Sequence, residues 1–134
     1  MPTVSIVSSF KEAVAEKVHD LGSDTLKIAL SNVAPSLSDT QLTDINQISS
    51  TGGYAPATAA VVSSAQSGGT YALELNAVVF TASGADFDEF RYLVLYNDTA
   101  TNDELIGFLD YGTGYVLADG DPFTVSAGTW LRNA

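Results

Sequence analysis

The sequence predicts a mainly β protein, an antiparallel β-sandwich or open barrel of seven to eight strands with one N-terminal amphipathic helix. Three observations carry this. Short segments with period-two alternation or β-branched residues recur along the chain, bounded by Gly, Asn and Asp turn signals. Only one stretch follows helical spacing, and it comes first. No repeat of fixed period interrupts the pattern. At 134 residues the chain fits one domain with its own core. We divide residues 1–134 into an N-terminal arm over 1–8, a helix over 10–21 and a β-sandwich body over 24–131.

Ser9-Phe10-Lys11-Glu12 has the form of a capping box, with Ser9 as cap and Glu12 reaching back. Phe10, Ala13, Val14, Val18 and Leu21 then keep helical spacing until Gly22, so the helix should lay an apolar stripe on the sheet. His19 falls in its last turn. It could serve as a proton shuttle or metal ligand, but no partner cluster accompanies it, and a surface histidine favoured by the helix dipole is the preferred reading.

Leu26, Ile28 and Leu30 share one face of a strand over 25–32. Residues 35–50 are polar with scattered Leu37, Leu42, Ile45 and Ile48, a short helix over 41–46 or a long loop held down by its aliphatics. Thr58–Gln66, a Gly68-Gly69 turn and Tyr71–Thr81 read as a long β-hairpin. In its second strand Tyr71, Leu73, Leu75, Ala77 and Val79 face one way. Ser83–Glu89 is expected to be a connection with one helical turn. The hairpin over Phe90–Gly112 is apolar on both faces and is taken as the centre of the sheet. Gly112–Gly114 should be a tight turn before a short strand at 115–117, and Phe123–Val125 closes the regular pattern. Trp130, the only tryptophan, is either a core plug or an interface anchor.

Charged residues are only 16% of the chain, so the polar surface must come from Ser, Thr, Asn, Gln and Gly. Such a surface immobilises few long side chains when it is buried, which suits packing against copies of itself or a partner. The net charge is −11. From Ile28 onward only Arg91 and Arg132 stand against the acids. Nucleic acid and an anionic membrane are therefore not expected as partners, because both are recognised by clustered Lys and Arg. The chain has no cysteine, hence no disulfide and no thiolate chemistry. Its N-terminus lacks a secretory signal and no segment is long and apolar enough to cross a bilayer, so a soluble protein made in a cytoplasm is expected.

No catalytic constellation stands out. The acidic stretch Asn97–Glu104 could gather oxygens around calcium, but it lacks the EF-hand spacing and also suits a solvated turn. Asp86-Phe87-Asp88-Glu89 and Asp119-Gly120-Asp121 read the same way. No Gly-x-Ser-x-Gly elbow and no phosphate-cradling loop occurs. We therefore expect no enzymatic activity, no cofactor and no resident metal. Tyr92, Tyr96, Tyr111 and Tyr115 could form an exposed aromatic platform for sugar.

Several stretches together resemble small virion structural proteins of tailed bacteriophages. They are Phe10-Lys11 with His19-Asp20, Thr25–Leu30, Gly53-Tyr54 after a polar loop, Phe90–Asn97, Leu105-Ile106-Gly107 with Asp110-Tyr111-Gly112, Leu117–Gly120, and Phe123-Thr124-Val125. The resemblance runs through most of the chain, and its motifs are signatures of fold type. It implies a non-enzymatic part of a virion, assembled in the host cytoplasm, with the major capsid protein or other virion proteins as partners; the low-charge surface and the edge strands separately suggest a homotrimer or dimer. A capsid decoration (cement) protein on the head exterior is the first expectation. A tail, neck or fibre-associated module that binds a receptor or carbohydrate is the alternative. Val4, Ile6, Val7, Phe10 and Trp130 are the candidate docking residues.

Overall fold

The computed structural model describes the backbone of residues 4–133 and the side chains of 4–130. The fold is mainly β, as expected, but its described residues form ten strands and one short α-helix. In chain order these are β1 (Ser5–Ile6), α1 (Phe10–Ala15), β2 (Leu26–Ser31), β3 (Ala57–Ala59), β4 (Val61–Ser67), β5 (Thr70–Leu75), β6 (Val78–Thr81), β7 (Phe90–Asn97), β8 (Leu105–Tyr115), β9 (Pro122–Val125) and β10 (Gly128–Asn133). A five-stranded sheet has the order β1-β8-β7-β2-β3, a second sheet the order β10-β5-β4, and β6 pairs with β9. All the ladders are antiparallel.

The centre falls where the alternation placed it. Ile28 lies opposite Leu95 and Leu30 opposite Leu93, and these side chains share one core with Leu73, Leu75, Val78, Phe80, Phe123, Val125 and Trp130 of the smaller sheets. Ala29 lies opposite Val94 on the other face, and both are fully buried. A strand covered on both faces must be apolar on both, which is the pattern of Leu93-Val94-Leu95.

The other cover comes from the polar segment 33–50. It does not form the α-helix considered for 41–46; a single 3-10 turn, Leu42–Asp44, occurs there. Leu105 N–H donates to Thr40 O and Leu42 N–H to Asp103 O at one end, and Ile48 N–H donates to Leu30 O at the other. The Ser31 hydroxyl donates to Asn46 O at 2.7 Å. Strung between β2 and β8, the segment packs Leu42, Ile45 and Ile48 against the core. Beyond the end of β3, Tyr54 takes over the edge of β2: its hydroxyl accepts from Leu30 N–H and donates to Gln47 Oε1. Burial pushes this phenol up to about 12, the bond from Leu30 N–H working slightly the other way.

Six expectations are corrected. The helix stops at Ala15, not near Leu21. Lys17 adopts φ 66, its N–H reaches Val14 O and Val18 N–H reaches Ala13 O, which is a Schellman end built on a lysine instead of a glycine. Ser9 has helical backbone angles and makes no side-chain cap, because a capping hydroxyl needs an extended residue to reach forward. The strand expected over Tyr71–Thr81 is two strands in different sheets. Leu73 and Leu75 point inward, Asn76 and Ala77 are exposed, and Val78 and Phe80 then point inward, so the inward parity changes as the chain crosses over. Thr58–Gln66 divides likewise, β3 joining β2 and β4 joining β5. Ser83–Glu89 contains no helix. Gly112–Gly114 is not a turn between strands but an excursion within β8: Phe90 lies opposite Tyr115 and Tyr92 opposite Asp110, so Tyr111–Gly114 stand clear of the ladder.

The last strand exists and pairs with β5. Its register shifts between Thr129 and Leu131, making Trp130 the bulged residue, and Trp130 is 2% exposed. The other neighbour of β5 is bulged at the same level, at Val62, which is 58% exposed. Bulges bend the strands that carry them. Here one sends a side chain into the core and the other sends one out.

Candidate functional site

The expected docking residues divide. Val7, Phe10 and Trp130 belong to the core of this chain. Trp130 is therefore the core plug of the two readings, and neither it nor Phe10 or Val7 offers an accessible anchor. Val4 and Ile6 are half-buried. Ile6 belongs to β1 and Val4 directly precedes it; β1 is an outer strand of the large sheet, with Ser5 opposite Phe108 and Ile6 opposite Gly107. A Cβ on Gly107 would lie 2.6 Å from Ser5 O, so this glycine is what lets β1 approach.

The four tyrosines do not form one platform. Tyr96 is buried at one end of β7, its hydroxyl shifted upward first by burial and then by Asp98 and Asp103. Tyr92 is half-buried opposite Asp110, with the Arg91 guanidinium 5.7 Å from its ring centre. Tyr111 and Tyr115 come together at the other end of β7, in a cluster with Phe90 and Phe123. Phe90 meets Phe123 edge-on at 5.0 Å, and Tyr111 meets Phe123 at 5.3 Å and Tyr115 at 5.9 Å. Only Tyr111, 41% exposed, presents substantial ring surface. Beside it Arg91 Nε donates to Asp110 Oδ1 at 2.8 Å. The Arg91 bond, helped by Gly112 N–H, holds the Asp110 carboxyl below its usual range.

The acidic stretches brace loops. Asp86 Oδ1 accepts from Asp119 N–H, and Asp119 Oδ1 from Gly84 N–H, so two of the acidic loops are latched to each other. Asp88 accepts from the Ser49 hydroxyl at 2.6 Å. In the third stretch Asn97 Oδ1 accepts from Thr99 and Ala100 N–H, and Glu104 from Asn102 N–H. Among the described residues no three acids or histidines gather in a metal-holding group.

The most site-like region was not expected from the sequence. The early end of α1 turns residues 17–24 back along the molecule and places His19 at the end of β7, 7% exposed instead of on the surface. Its ring stacks on Phe10 at 5.5 Å between centres. Asn97, fully buried, organises the contact: its Nδ2 lies 3.0 Å from His19 Nδ1 and 2.6 Å from Asp24 Oδ2. Because Asn97 Oδ1 already accepts two backbone N–H groups, the atom facing the imidazole is the amide nitrogen, a donor. His19 Nδ1 must then accept, and the proton of the neutral ring sits on Nε2. Burial lowers the His19 pKa below its ordinary 6.5, with Glu104 and Asp24 opposing the shift, so the neutral ring is the native form at neutral pH. His19 Nε2 is buried and has no hydrogen-bond partner. Next to this ring a cleft of about 810 Å³ opens between α1 and the β4–β5 hairpin, lined by Phe10, Val14, Lys17, His19, Leu21 and Tyr71 among others. On the helix expected over 10–21, His19 lies opposite the apolar stripe, so the spacing carried no signal for its burial.

No family model, no curated protein and no solved structure matches the chain.

Proposed function

We propose that this chain is a non-enzymatic structural protein of a tailed-bacteriophage virion, used as a decoration protein on the head exterior. The observation that carries the reading is charge: a mainly β chain of net charge −11 whose only basic residues after Lys27 are Arg91 and Arg132. Such a body is repelled by packaged DNA and stays soluble at the high local concentration of a repeated shell component. The resemblance of its sequence stretches to small virion proteins supplies the class. Docking in this reading uses the outer edge of β1 with Val4 and Ile6, since Val7, Phe10 and Trp130 serve the chain's own core.

Quantitative mass spectrometry of purified particles of the encoding phage, calibrated on the major capsid protein, tests this. Copies near the capsid-protein count, or a simple fraction of it, are expected. A few dozen or fewer would move the protein to neck, tail or fibre. Absence from particles would overturn the virion assignment. The exposed ring of Tyr111 beside the Arg91–Asp110 pair favours a second reading, a fibre-associated carbohydrate-binding module. Tyrosine fluorescence that responds to host glycans in wild type and not in Tyr111→Ala would support it.

A further inference from the structure

We propose that the free edge of β4 is a self-association surface, on which a second copy of this chain lays its own β4 antiparallel across a twofold axis. The sheets β10-β5-β4 of the two copies then run on as one. This does not depend on where the protein sits in a particle.

The edges of this fold are unequally protected. A strand edge presents unpaired N–H and C=O groups, and proteins blunt it by shortness, charge or proline. The edges of the five-stranded sheet are β1, of two residues, and β3, of three. β9 begins with Pro122, and β10 carries Arg132. β4 is an edge of seven residues, Val61–Ser67, with neither charge nor proline. Its bulge at Val62 spares residues 63–67, which keep regular register against β5. Among the described residues, no backbone group outside β5 bonds to the backbone of 63–67.

The turn fixes which groups lie open. Gly68 and Gly69 have φ of 58 and 85 and leave Ser67 directly opposite Thr70, the two-residue hairpin in which that pair exchanges its hydrogen bonds. Alternation then turns the backbone groups of Ala65 and Ser67 toward β5 and those of Ser64 and Gln66 outward. A twofold axis at Ala65 sets Ser64 of each copy opposite Gln66 of the other. The outward groups then meet in hydrogen-bonded pairs on both sides of a central Ala65–Ala65 pair, a self-complementary fit that needs no second sequence. Charge favours the same edge. Two chains of net charge −11 repel each other. Residues 45–73, between Asp44 and Glu74, are the longest stretch without Asp, Glu, Lys or Arg, and they contain all of β4 and its turn. The charged residues that line the cleft with Ser64, Lys17 and Asp20, are of opposite sign. Copies that meet through β4 therefore place no like charges opposite each other in the paired strands.

Sedimentation equilibrium of the full-length protein, taken up to about 0.5 mM because small interfaces are weak ones, should approach twice the 14.0 kDa of the chain. Added salt should tighten the dimer, since screening relieves the repulsion of two acidic copies. Gln66→Pro deletes an outward N–H and leaves the ladder to β5 intact. Ala65→Glu sets two carboxylates opposite each other at the axis. Both positions are exposed, so both variants should keep the wild-type circular dichroism and sediment as monomers. The chain has no cysteine. Ala65→Cys should therefore give one intermolecular disulfide on mild oxidation, because directly opposed residues of a non-hydrogen-bonded pair lie within its reach. Val79→Cys, 54% exposed on β6, should cross-link far more slowly. A wild-type monomer throughout the range, a trimer, or a dimer that survives both edge variants would overturn the proposal. Equal cross-linking of the two cysteine variants would do the same.

Discussion

The two ends of β7 close the same sheet by opposite means. At the Phe90 end four rings, those of Phe90, Tyr111, Tyr115 and Phe123, pack edge to face or tilted, and the polar groups nearby face solvent as the Arg91–Asp110 pair. At the Asn97 end one buried amide holds two backbone N–H groups, the Asp24 carboxylate and the His19 ring. The aromatic end gains its stability from area and tolerates imperfect geometry. The polar end is worth something only while every partner is present, and it leaves one donor over. An aromatic closure needs only well-packed area, whereas a polar closure needs each buried group paired and carries the cost of any that is not.

The largest test of that contrast is Phe90→Ala. Phe90 is fully buried, and removing it should cost about 3–5 kcal/mol by urea unfolding, since a cavity opens between the two sheets. A loss below about 1 kcal/mol would show that the aromatic end is not a load-carrying part of the core. Asn97→Ala should cost less, about 2–4 kcal/mol, because the loss is one of unpaired buried groups and not of area. It should also shift the His19 ring resonances by releasing the tautomer. If those resonances stay put, Asn97 does not set the proton position.

Acid separates the ends next. His19 is the only histidine. Its folded pKa lies below the 6.5 of the unfolded chain, so between those values the unfolded state binds more protons. Stability from the polar end is therefore complete above that range and falls as pH drops through 6.5. Asp110 is depressed from 3.8, so the exposed pair at the aromatic end weakens only as pH falls below that value. Melting temperatures from pH 8 to 5 should slope downward in wild type and flatten over that interval in His19→Phe. An unchanged slope in the variant would assign the effect to other groups. The smallest effect is expected at Lys17, the left-handed residue that stops α1. Lys17→Gly should stabilise the protein by about 0.5–1 kcal/mol by relieving the Cβ penalty. A destabilised variant would mean that the lysine side chain itself holds the turn.

How legible this was in the sequence varies along the chain. The two-faced apolar run of Leu93-Val94-Leu95 announced a strand buried on both sides, and the mainly β class with a leading helix followed from spacing. The break within Tyr71–Thr81 was not legible. Tyr71, Leu73, Leu75, Ala77 and Val79 alternate without a flaw, yet Asn76-Ala77 is where the chain leaves one sheet for the other. Alternation describes one strand against one face and carries no information about which sheet supplies that face. The helix end misled for a related reason. Apolar residues continue at helical spacing to Leu21, and the stop at Lys17 uses a left-handed lysine where sequence rules look to glycine at position 22.

By itself, then, the sequence determined the class of fold, the acidic lysine-poor surface and the strands of the centre, because local periodicity and composition act without reference to distant partners. Tertiary structure alone decided that Trp130 fills the core, that the tyrosines divide between two ends, and that His19 faces Asn97 beside a cleft. Each of those depends on contacts between segments far apart in the chain, 78 residues for His19 and Asn97, and a side chain's partner across such a distance is chosen by packing and not by its neighbours in sequence.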